Sequence, residues 1–136
     1  MTWLQSGGPF PTGGLVLTVT YSTGNQSSYL HLPLLSPVLC PVFGRSLYEG
    51  SLNLHAAGPV KFPTPARRIL VAEEWLFAPV VLAEAEAGVA ARKASSGDTA
   101  FIEVFAPDKL APRLGLSPGG TVVVRVLSGD VLDLAA

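Results

Sequence analysis

Ser51 and Asn53 stand two residues apart in a segment, Ser51 to Ala56, that reads as a strand, so their side chains leave the chain on the same side. A hydroxyl and an amide oxygen placed this way are hard ligands suited to a cation such as magnesium. The same pair also reads as two ordinary polar positions of a strand that follows a turn at Tyr48-Glu49-Gly50. Glu103 offers a second chemistry. In the stretch Phe101 to Phe105 it lies between two phenylalanines on one face, with Ile102 and Val104 on the other. A carboxylate there can accept hydrogen bonds from a bound molecule while the rings supply apolar contact. It equally suits the exposed face of an edge strand. His31 and His55 stand alone on segments read as strands, and Cys40 is the only cysteine, so each is read as a packing or surface residue.

Familiar catalytic signatures are missing: the chain has no GxxxxGK[ST] loop, no GxGxxG, no HExxH and no GxSxG. With 136 residues it fits one domain, able to bury a core without disulfides. Nine basic and ten acidic residues leave a net charge of −1, without the basic footprint of a protein that grips a phosphate backbone. Nucleic acid is therefore not an expected partner. The apolar run Trp75 to Ala83 is too short to span a bilayer, and no basic residue precedes Arg45, as a secretory signal would require. A cytoplasmic protein with no membrane partner is the expectation.

These residues must be positioned by short strands and turns, since 14 glycines and 12 prolines are scattered without a period. Residues 1–13 read as an irregular leader. Strands are predicted at Leu15 to Tyr21, Tyr29 to Leu32, Ser51 to Ala56, Phe101 to Phe105 and Thr121 to Leu127. Between the second and third, Ser36-Pro37 can open a short helix that Pro41 keeps from extending. Ile69 to Ala72 and Pro79 to Glu86 are also read as strands, with Gly88 turning the chain into Val89 to Ala94, although the Ala/Glu pattern there permits helix. Pro107 can open a short helix carrying Leu110 and Leu114, Ser117-Pro118-Gly119-Gly120 marks a turn, and residues 128–136 are expected to fray. The order strand, proline, short helix, turn, strand occurs twice, which favours two interlocked units closing into a small barrel.

Two stretches are more specific. Tyr48-Glu49-Gly50-Ser51-Leu52-Asn53-Leu54, and Phe101-Ile102-Glu103-Val104-Phe105-Ala106-Pro107-Asp108-Lys109-Leu110 with Leu114 to Gly120 close behind, resemble the archaeal CTP-dependent riboflavin kinases. In that family a strand ending in Leu-Pro leads through a short helix to G-T-L-N-L, and an I-E-I-I-A-P segment leads to K-L-R, a short helix, a Gly-Asp turn and a final strand. The resemblance covers about residues 15 to 127. It implies a mainly β fold, a small closed six-stranded cradle-loop barrel with one or two short helices. It also implies an activity, transfer of phosphate from CTP to the terminal ribityl hydroxyl of riboflavin to give FMN.

By the same resemblance, magnesium is held by Ser51 and Asn53, and flavin by Glu103 and by Ser95 or its neighbour Ser96. The nucleotide is contacted by Ser22, Thr23, Gly24, Asn25, Gln26 and Ser27 and by Asp108, Lys109, Leu110 and Ala111, where free backbone N–H groups at a helix start can meet phosphate. The sequence also departs from the family. Its G-x-G-E-G loop corresponds to Ser22 to Ser27, which keeps one glycine, and the Arg after K-L is Ala111, leaving Lys109 as the cation of that segment. The region from Ala78 to Ser95 is shorter by about a hairpin. The competing reading is a non-catalytic barrel that binds a flavin, a nucleotide or a protein.

Overall fold

The computed structural model describes residues 3–6, 9–23, 27–132 and 134, with the backbone alone for residues 6 and 27–30. Seven strands are found among them: β1 (Leu15–Ser22), β2 (Leu52–His55), β3 (Ala66–Leu70), β4 (Glu73–Leu82), β5 (Glu86–Lys93), β6 (Phe101–Phe105) and β7 (Thr121–Val126). They pair antiparallel in the order β3-β4-β5-β6-β2-β1-β7, and β7 pairs again with β4 through Val80↔Val126, Val81↔Arg125 and Leu82↔Val124. That last pairing closes six strands into a barrel, as expected, and leaves β3 outside the ring as a flange on β4. No helix among the described residues is long and apolar enough to cross a membrane.

Alternation along the strands divides the apolar residues between two cores. Inward side chains such as Val19, Leu54, Ala78, Val80, Leu82, Ile102, Val104 and Val124 fill the barrel, closed by Leu110 and Ala111 from α3 (Leu110–Arg113) and by Val60 and Phe62 from a loop. Outward side chains of β4 to β6, namely Trp75, Phe77, Val89, Ala91 and Phe105, form a second core beneath α2 (Ser27–Phe43). β4 therefore has both faces buried and reads as a continuous apolar run. Pro79 is tolerated in it because it sits where the partner changes from β3 to β7. Its carbonyl accepts from Leu127 N at 2.9 Å, and its missing N–H falls in the gap between the two ladders.

The helix α2 corrects two expectations. Tyr29 to Leu32 is helical, not a strand, and Pro41 does not limit the helix, which runs through Pro33, Pro37 and Pro41. Spaced four apart, the three rings form one stripe on the exposed side, where carbonyls that lose an intrahelical partner can meet water. The opposite side buries Leu35, Val38, Leu39, Val42 and Phe43. Each buried side chain contributes about 1.5–3 kcal/mol, the same order as the roughly 3 kcal/mol cost of an interior proline, so packing carries the helix. The internal echo survives in coarser form, as β1-α2-β2 and β6-α3-β7.

The central stretch is also divided differently from the expectation. Its turns are at Val71-Ala72 (φ 48° and 64°) and Ala83-Glu84 (φ 53° and 49°), four non-glycine residues in the left-handed region. Gly88 does not turn the chain. It lies inside β5, where a Cβ would come within 2.5 Å of Val104 Cγ1 and 3.0 Å of the Phe105 carbonyl oxygen.

Neither end is loose over its described part. α1 (Trp3–Ser6) docks on α2, with Gln5 Nε2 donating to the Pro41 and Val42 carbonyls at 3.0 and 3.2 Å and so serving two of the orphan acceptors at that helix end. After β7, Gly129 N donates to Thr64 O at 2.9 Å, and Leu132 and Leu134 join the outer core, so the expected fraying does not hold for residues 128–132 and 134.

Candidate functional site

Directly opposed residues of an antiparallel sheet point to the same face. The registers of β1, β2, β6, β5 and β4 place Ser22, Asn53, Glu103, Ala91 and Phe77 in one transverse row on the outside of the barrel. Three residues drawn from distant parts of the sequence thus become neighbours. Ser51, just before β2, donates from Oγ to Glu103 Oε2 at 2.7 Å and lies 3.5 Å from Asn53 Oδ1. Asn53 is 9% exposed and Glu103 5%.

From above, α2 contributes His31. Its Nδ1 lies 3.8 Å from Glu103 Oε1, and its ring stands edge-on to Trp75 with centroids 5.2 Å apart. Burial pushes the Glu103 carboxyl above its ordinary range, outweighing the hydrogen bond from Ser51 and the pull of His31, which act downward. Tight packing of α2 begins at Leu35, and ahead of it a cavity of about 190 Å³ opens over the sheet. Ala91 and Glu103 line it together with the rings of His31, Trp75 and Phe101, and Lys93, Ser96 and Asp98 contribute polar groups. Of the two candidate hydroxyls, Ser96 lines this cavity. Ser95 is exposed and does not.

A smaller depression of about 40 Å³ lies on the other side of Ser51. Tyr21, Tyr48 and Ser51 line it with Asp108, Lys109, Leu110 and Ala111, so the whole second candidate nucleotide segment is gathered there. Lys109 is not the sole cation nearby. Arg45 grips both Asp108 oxygens at 3.2 and 3.3 Å, and Arg113 Nη1 lies 3.9 Å from Asp108 Oδ2. Arg113 also bonds Glu86 at 2.6 Å. Of the first candidate nucleotide segment, Ser22 ends β1 opposite Asn53, Thr23 is exposed and Ser27 opens α2. Gly24, Asn25 and Gln26 lie outside the described residues.

Arg92 was not singled out by sequence reasoning, yet it anchors the cavity rim. Its guanidinium donates to the carbonyls of Val60, Thr99 and Phe101 at 2.6, 3.0 and 2.8 Å and stacks 4.3 Å from the Phe62 ring centroid. Burial lowers its pKa from the usual arginine value, and Asp98 opposes that shift. His31 reads from the sequence as a packing or surface residue, because nothing local in Tyr29-Leu30-His31-Leu32 tells which strand residue the helix will cover. His55 rests against Phe101 with ring centroids 5.1 Å apart, and Cys40 is half-buried and free.

No group of three or more His, Cys, Asp or Glu side chains able to hold a metal occurs among the described residues. The donor set at the row is of another kind: Ser51 Oγ and Asn53 Oδ1, backed by the Glu103 carboxylate, are all hard oxygens and fit magnesium. No protein-family model matches the chain, and no characterised protein matches it significantly.

Proposed function

We propose that this protein is a riboflavin-kinase-like phosphotransferase, moving the terminal phosphoryl group of a nucleoside triphosphate, CTP by similarity, onto the terminal ribityl hydroxyl of riboflavin. One observation carries the reading: Ser51 lines the smaller depression and is hydrogen-bonded to Glu103, which lines the larger cavity. A hydroxyl entering from one side and a triphosphate entering from the other would meet at Ser51. Phosphoryl transfer asks chiefly for that kind of alignment and for charge neutralisation.

In the reaction, the hydroxyl oxygen bonds to phosphorus, the bridging P–O bond to the diphosphate breaks, and the hydroxyl proton leaves. Trp75 and Phe101 would flank the flat flavin ring, with Ala91 leaving room beneath it. Glu103 would accept hydrogen bonds from the ribityl chain, and its raised proton affinity suits it to take up the departing proton. Ser51 and Asn53 would hold magnesium, which when bound neutralises charge on the transferring phosphoryl group. Lys109, and Arg45 held by Asp108, would stand as cations on the phosphate side.

The test is incubation with riboflavin, magnesium and either CTP or ATP, followed by chromatography for FMN. Formation of FMN supports the reading, and its absence with both donors overturns it. A second reading, a flavin- or nucleotide-binding barrel without catalysis, is favoured by the small size of the phosphate-side depression and by the Asp108 carboxylate on its wall. Flavin binding without turnover would select it.

A further inference from the structure

β3 stands outside the ring and pairs with β4 alone. Leu70 and Glu73 flank the two-residue turn at Val71-Ala72 and form the mutually bonded pair that closes such a hairpin. Alternation from that pair turns the backbone N–H and C=O of Ala66 and Arg68 toward β4 and those of Arg67 and Ile69 away from it. Among the described residues no backbone group bonds to that outward pair. The C-terminal segment bonds just ahead of it, Gly129 N donating to Thr64 O at 2.9 Å, and Leu132 and Leu134 then enter the outer core with Ala66 and Leu70, on the face opposite Arg67 and Ile69.

A second copy of this chain is a poor match for the open edge. About a two-fold axis, antiparallel pairing must join outward groups to outward groups. The register that bonds Arg67 to Ile69 sets Arg68 against its own counterpart, like charges directly opposed. Shifted one way, the ladder sets Ile69 against Pro65, which has no N–H; shifted the other way, it sets Arg67 against Val71, whose φ of 48° takes it out of the strand.

An acidic strand meets none of these obstacles. Its alternate side chains would lie over the face that carries Arg67, Ile69 and Leu76, where a cavity of about 340 Å³ opens. Pro59, Phe62, Pro65 and Leu76 give that cavity apolar walls, Lys61 and Arg67 give it a cationic rim, and no carboxylate among the described residues lines it. Glu74 is held by Arg67 at 2.9 Å, whereas Lys61 has no ion-pair partner among the described residues. Ile69 and Val71, 63% and 81% exposed, extend the apolar surface along the edge. We propose that the outward edge of β3 is a docking site for an extended acidic segment of a partner protein, added to the sheet as a further strand with an apolar side chain in the cavity beside Lys61 and Arg67. Main-chain bonds to Arg67 and Ile69 supply affinity, and the cations supply the preference for acidic sequence.

The test is fluorescence polarisation on the full chain without flavin or nucleotide, so its outcome is independent of the catalytic reading. The probe is a dye-labelled octapeptide repeating valine, glutamate, glutamate, valine, which puts both residue types on each face of an extended strand. One comparison peptide has lysine for glutamate, and another has every peptide nitrogen methylated. The acidic peptide is expected to bind about tenfold or more tighter than either, and less tightly as salt is raised. Lys61→Glu, at an exposed residue, should weaken it about threefold or more. Ile69→Pro removes an outward N–H and no bond to β4, and should abolish binding. Failure of the acidic peptide to bind, equal binding of all three peptides, or indifference to Lys61→Glu overturns the proposal. A dimer in sedimentation that Ile69→Pro dissolves would assign the edge to a second copy and overturn it equally.

Discussion

Asn53 and Glu103 oppose one another directly across the β2–β6 ladder, both buried on the outer face of the barrel, with Ser51 bonded to the carboxylate from the end of the strand. Polar residues so placed are expensive to keep unless they are used. Their position between two depressions ties the local economy of the sheet to the proposed chemistry.

Glu103 sets a pH dependence whose sign follows from its environment. Its folded pKa is raised above the ordinary value of 4.5, mainly by burial, so the folded state favours the protonated form. The stability that this contributes is complete below pH 4.5 and is lost as pH rises through the higher, folded pKa. Glu103→Gln keeps the shape without the charge. In urea titrations the variant should therefore gain on the parent as pH increases from the acid side, while losing ligand affinity. A stability difference independent of pH would contradict the assignment.

Asn53→Ala removes one of the two oxygens assigned to magnesium. Turnover should fall by about tenfold or more, with riboflavin affinity changed far less, since Ser51 keeps its hydrogen bond to Glu103. Steady-state kinetics beside a fluorescence titration separates the two effects. Unchanged turnover would show that the metal is held elsewhere.

Nucleotide binding is expected to be weak relative to flavin binding. The segment Ser22 to Ser27 offers hydroxyl and amide groups where a glycine-rich loop would bring backbone N–H groups close to phosphate. Calorimetry with CTP and magnesium decides it. A dissociation constant on the order of 1 μM, or about −8 kcal/mol, would mean the segment is a competent phosphate cradle after all.

Gly88→Ala tests the barrel itself. The added methyl would meet Val104 Cγ1 at 2.5 Å and the Phe105 carbonyl at 3.0 Å, whereas the same change at Gly97 meets nothing within 4 Å. Denaturant unfolding should show a loss of about 1–3 kcal/mol for the first and little for the second. Equal effects would contradict the packing described for β5 and β6.

Strands with one face to the core and one less buried were legible in the sequence, Leu15 to Tyr21 and Thr121 to Leu127 differing by one residue at one end, and Phe101 to Phe105 has the predicted bounds although both its faces are buried. β4 was not, because Trp75 and Phe77 are buried outward while Ala78, Val80 and Leu82 are buried inward, which erases the alternation. Its flanking turns were hidden because Val71, Ala72, Ala83 and Glu84 take positive φ without a glycine or asparagine. α2 was misread because the proline rule is local, whereas the compensation comes from the apolar side facing the sheet. At the candidate site, Ser51, Asn53 and Glu103 were named from type and spacing, and register alone brings them together. His31 and Arg92 owe their places to tertiary packing, and no local signal identifies them.

The ladder that closes the barrel opposes Leu15, the first residue of β1, to Val126, the last of β7. The chain therefore enters and leaves the ring at one point. Once the contacts of α1 and of Gly129, Leu132 and Leu134 have given way, pulling the two ends apart loads the β1–β7 hydrogen bonds one after another from that point inward, as a zip opens, and not all at once as in shear. A closed and well-filled barrel is in this sense mechanically soft, and the ring opens at the seam where its own ends meet.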